Sequence, residues 1–98
     1  PEAPRPEHAA EIAATYRDAA ASVGEAVRRA WPDDELGEMV EMYGDRWSKA
    51  TVLSALIRHE AHHRGQMTVL MRQAGLVVPG VYGPAREEWE AMGVPPLP

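Results

Sequence analysis

Ninety-eight residues make one small domain, of a size that buries only a modest fraction of its surface. The absence of cysteine removes both a disulfide framework and a thiolate metal site, which fits a reducing cytoplasm, and no apolar run approaches the ~20 residues of a membrane span. A net charge of −5, one lysine (Lys49) and scattered arginines argue against nucleic acid as a partner, because phosphate neutralisation needs clustered cations.

The chain opens Pro1-Glu2-Ala3-Pro4-Arg5-Pro6, without an initiator Met, and this start reads as a loop within a longer protein. A first helix is expected over 6–31. Pro6 suits the first turn, Glu7 the positive end of the dipole, and Pro32 stops the helix. Its apolar positions, among them Ile12, Tyr16, Val23 and Val27, step by three and four, and the many alanines suit close helix–helix approach. Residues 33–47 are less regular, with a short helical turn at Asp33-Asp34-Glu35 and a turn at Gly44-Asp45, and no strand is assigned.

A second helix is expected over 48–75, with Ser48 or Thr51 as N-cap and Gly75 just past its end. At 100° per residue, Val52, Leu53, Leu56, Met67, Leu70, Met71 and Ala74 share an arc wide enough for a core face. Residues 76–98 form an extended, turning tail that Val81, Tyr82 and Trp89 would anchor. The expected class is all-α, two long antiparallel helices. Two helices cannot close a core, so a second copy or a missing N-terminal half must cover the exposed stripes.

The richest stretch is His59-Glu60-Ala61-His62-His63-Arg64-Gly65-Gln66. On a helix His59 and His63 project one turn apart and can share a metal, and imidazole suits zinc, nickel, iron or copper. Their angular placement turns them toward the core face, while His62 points elsewhere. Glu60 and Arg64, also four apart, can pair. His8 would fall near the far end of a simple hairpin, too distant to be a third ligand.

Two other readings compete. The histidines can be structural, in a non-catalytic assembly module. Alternatively, the run matches the zincin pattern H-E-x-x-H, with Glu60 as general base and Glu87, Glu88 or Glu90 as third ligand. Trp31, Trp47, Met67 and Met71 fit core stripes better than a binding box.

The same run, with Val69-Leu70-Met71-Arg72, Gly75-Leu76, Val78-Pro79 and Tyr82-Gly83-Pro84, resembles the C-terminal half of the DinB/YfiT family. The resemblance covers nearly all 98 residues as the third and fourth helices of a four-helix bundle. It implies His59 and His63 as two of three metal ligands, the third coming from a helix without a counterpart here. It also implies nickel or zinc as cofactor and stress-related roles or thiol-dependent transfer to a small-molecule substrate, with bacillithiol or mycothiol as the low-molecular-weight thiol.

Overall fold

The computed structural model describes residues 4–95. Pro1 to Ala3, where the loop-like opening begins, and residues 96–98 of the tail lie outside the described residues. The chain forms two compact units, one up to Ala50 and one from Thr51 onward. Two long helices dominate, so the class is all-α in the main, with one small sheet. Among the described residues no helix is long and apolar enough to cross a membrane.

In the first unit, α1 spans Ala9–Ala30, beginning three residues later than expected. His8 takes an extended backbone as N-cap, and the Glu11 carboxylate reaches back to the Glu7 amide, 3.3 Å away. Trp31 closes the helix ahead of Pro32, whose ring disfavours helical geometry in the residue before it. No α1 residue is buried, and Ile12, Tyr16 and Val23 are exposed.

The segment read as irregular is ordered. A 3-10 turn at Asp33–Glu35 leads into a hairpin of β1 (Met39–Met42) and β2 (Asp45–Ser48). The antiparallel register pairs Val40 with Trp47 and Glu41 with Arg46, placing opposite charges across the ladder. Tyr43 and Gly44 form the two-residue loop, both at positive φ (53° and 80°). That combination is the one whose twist matches paired strands. Asn-Gly would have signalled it; a tyrosine at the first position conceals it. The Tyr43 ring stands edge-on to Trp47 at 6.0 Å, which offsets part of the cost of its backbone.

Lys49 ties the start of α2 (Lys49–Gln73) to the segment that precedes the hairpin. It is only 8% exposed, and its ammonium lies 2.9 Å from Glu38, 3.5 Å from Glu35 and 5.6 Å from the Trp31 ring centre. The hydrogen bond to Glu38 outweighs burial and raises the Lys49 pKa. The first two helical amides are also satisfied, Lys49 donating to the Glu38 carbonyl and Ala50 to that of Leu36, each at 2.9 Å.

In the second unit, α2 ends at Gln73, two residues short of the expected end, and Gly75 lies just past it. With φ at 74°, Gly75 lets its amide donate to the Arg72 carbonyl and the Leu76 amide to that of Met71. The tail departs from expectation, since it carries a third helix, α3 (Arg86–Ala91). The Glu88 carboxylate accepts from the amides of Ala85 (2.7 Å) and Gly80 (3.1 Å), tying the turn to the first turn of α3. A Cβ at Gly80 would collide with the Gly83 carbonyl and the Glu88 carboxylate. The anchor is Val78, 4% exposed and the one buried apolar side chain among the described residues. Tyr82 is fully exposed, Val81 is exposed, and Trp89 is half-buried.

Gly44→Ala forces a Cβ into the left-handed region and should destabilise the hairpin by about 1 kcal/mol. Urea unfolding followed by tryptophan fluorescence checks this; an unchanged midpoint would rule the loop geometry out.

Candidate metal centre

The helical repeat of α2 puts His59 and His63 one above the other. Their rings meet edge to face, with centres 4.5 Å apart and interplanar angle 84°, and their Nε2 atoms approach to 3.0 Å. Two ligands at the usual ~2.0–2.1 Å from zinc stand about 2.9 Å apart at a right angle and about 3.4 Å apart at the tetrahedral angle. The observed separation fits two adjacent positions around one ion.

Gln66 completes the arrangement and was not singled out in the sequence. Its Oε1 lies 2.7 Å from His63 Nδ1. An amide oxygen only accepts, so with Gln66 placed this way the Nδ1–H form of His63 is the one that makes the contact. The spacing i, i+3 on the same helix was the signal that could have found it. The expectation that His62 points elsewhere is corrected: its ring stands edge to face with that of His63, centres 5.3 Å apart at 64°.

The expectation that these imidazoles face a buried core is corrected. His59, His63 and Gln66 are exposed, because the stripe they border is uncovered: Leu56, Met67 and Leu70 are exposed too, Leu70 at 64%. Val52, Leu53 and Met71 are half-buried.

The carboxylates needed by the zincin reading are engaged elsewhere. Glu60 pairs with Arg64 at 3.1 Å, as its spacing suggests. Arg72 grips Glu87 through both guanidinium nitrogens, at 2.6 and 3.2 Å. Glu88 holds the Gly80 and Ala85 amides, and Glu90 faces Arg86 at 4.0 Å. Among the described residues no group of three or more histidine, aspartate or glutamate side chains is placed to hold an ion. His59 and His63 therefore fit two positions of a metal site, and the remaining donors must come from outside this set.

About a quarter turn round α2 from the histidines, an open cavity of about 310 Å³ is lined chiefly by Met67, Met71, Pro79 and Val81, with Arg64 and Thr68 also at its wall.

The family model described as the DinB family matches residues 1–96. A protein of Bacillus subtilis (strain 168), the uncharacterized protein YrdA, is 47% identical over 91 residues, which cover 93% of this chain and 54% of that one. The crystal structure of a DinB-like protein from Bacillus cereus ATCC 10987 superposes with a TM-score of 0.76 at 47% identity, over 81% of this chain and 53% of the other. The chain thus spans about half the length of the relatives it matches.

The double hydrogen bond from Arg72 lowers the Glu87 pKa from 4.5 to about 2. A depressed carboxyl stabilises its pair above its unfolded value, and that contribution disappears as the pH falls through the folded value. The side-chain carboxyl of Glu87 should therefore titrate near 2 by carbon NMR, with α3 loosening from α2 as pH drops from 4.5. Arg72→Gln should return the midpoint toward 4.5; a wild-type midpoint already there would refute the clamp.

Proposed function

Because the chain belongs to the DinB family, we propose that it is a helical-bundle protein that binds a divalent metal, nickel or zinc, through His59 and His63. The observation that carries this reading is the 3.0 Å approach of the two Nε2 atoms on one helix. A structural pair would be served as well by contacts to backbone or solvent. Two Nε2 atoms this close could take adjacent positions around one ion, and a polar partner on the other nitrogen of His63 is what ligating histidines commonly have.

When bound, such an ion supplies Lewis acidity, favouring the deprotonated form of a thiol or water. The chain's own part is to hold two imidazoles one turn apart on a rigid helix. The apolar cavity beside Arg64 supports a small-molecule substrate with an apolar body. On this reading the protein is related to thiol-dependent S-transferases, with a low-molecular-weight thiol as co-substrate.

Titration calorimetry with nickel or zinc tests the ligands. His59→Ala and His63→Ala should each abolish most of the binding, and His62→Ala should leave it nearly intact. Equal losses in all three variants would sink the assignment.

We further infer that the exposed stripes are covered by a second copy of the chain in a two-fold pair. One self-complementary patch then serves both sides, and the partner's surface can bring further donors to the ion. A specific observation favours this: Ile12, Tyr16, Leu56, Met67 and Leu70 all remain exposed in the single chain. Light scattering should return twice the 10.8 kDa chain mass; a well-folded monomer at micromolar concentration would defeat the pairing.

A further inference from the structure

The contact between Gln66 and His63 carries a consequence for the proposed metal centre. A neutral imidazole in water exchanges its proton between Nδ1 and Nε2, and only the nitrogen without the proton can ligate. His63 Nδ1 lies 2.7 Å from Gln66 Oε1. The partners share one helix at i, i+3, so their approach needs no other element. We propose that Gln66 is a positioning residue that locks His63 in its Nδ1–H form and so keeps the Nε2 lone pair directed at the point it shares with His59. This proposal rests on the metal reading above and names what prepares one of its two ligands before an ion arrives.

Two observations support it. Both His63 nitrogens are accounted for, Nδ1 on Gln66 and Nε2 at 3.0 Å from His59 Nε2. If His63 Nε2 offers the lone pair, the hydrogen between the two rings belongs to His59, so His59 is the ring that must move its proton to Nδ1 to become a ligand. The two histidines are thus unequal: His63 is donor-ready and His59 is not. Finally, Gln66 is exposed on the helix surface, where it contributes little packing. Its removal should therefore spare the fold.

The test uses the full chain without added metal, in mildly alkaline buffer. Long-range proton–nitrogen NMR on labelled histidine reports which ring nitrogen carries the proton. Wild-type His63 should be in the Nδ1–H form. Gln66→Ala should lose that preference with an unchanged circular dichroism spectrum, whereas Gln66→Glu, which keeps an acceptor oxygen at the same reach, should retain it. Affinity for nickel or zinc should fall at least roughly tenfold in Gln66→Ala, the usual scale for removing a partner of a ligating histidine, and recover in Gln66→Glu. A wild-type His63 carrying its proton on Nε2 would overturn the proposal, since Gln66 would then be donating its amide. Failure of the wild type to bind either metal while His63 keeps the Nδ1–H form would overturn the metal reading and leave the role of Gln66 standing.

Discussion

Burial of apolar surface, the dominant favourable contribution to folding at about 25 cal/mol per Å², is what this chain satisfies least within itself. Two helices of 22 and 25 residues contain one buried side chain between them, and that one is a lysine. Everything else follows from this shortage. Local devices then carry the order: the turn at Gly75, the positive-φ loop of the hairpin, the carboxylate of Glu88 on two amides. Such devices each contribute on the order of 1 kcal/mol, enough to set element boundaries and too little to hold a domain of this length by themselves.

The histidine pair is built so that it does not depend on that cover. Its geometry comes from a single helix, and the i, i+4 and i, i+3 spacings fix His59, His63 and Gln66 relative to one another. In the single chain both rings stand in solvent, where electrostatic interactions are weak.

Periodicity and punctuation made the long helices legible. Pro32 and Gly75 are strong stops, and steps of three and four are sustained over six or seven turns. The hairpin escaped because four-residue strands give too few alternations to distinguish, and because Tyr43 occupies a backbone region that its side chain does not advertise. The six residues of α3 were hidden among prolines and glycines, and only the reach of Glu88 back to Ala85 marks its start. The orientation of His59 and His63 around α2 was legible from angle alone, but their burial was not. An angle says which face a residue shares, whereas burial requires knowing what lies opposite. Glu60 with Arg64 was readable from spacing; Arg72 with Glu87, fifteen residues apart, depends on a turn that local patterns do not encode.

Lys49 is the sole lysine of the chain, and it is enclosed by two carboxylates and an indole. The folded surface therefore offers no accessible side-chain amine. Reagents and enzymes that acylate lysine meet an ammonium that is both shielded and held protonated, the form that is not nucleophilic. Covalent labelling at this position is favoured when the contacts to Glu35, Glu38 and Trp31 open. A single modified residue would then serve as a counter of such openings, giving this small chain a built-in chemical clock for its own local unfolding.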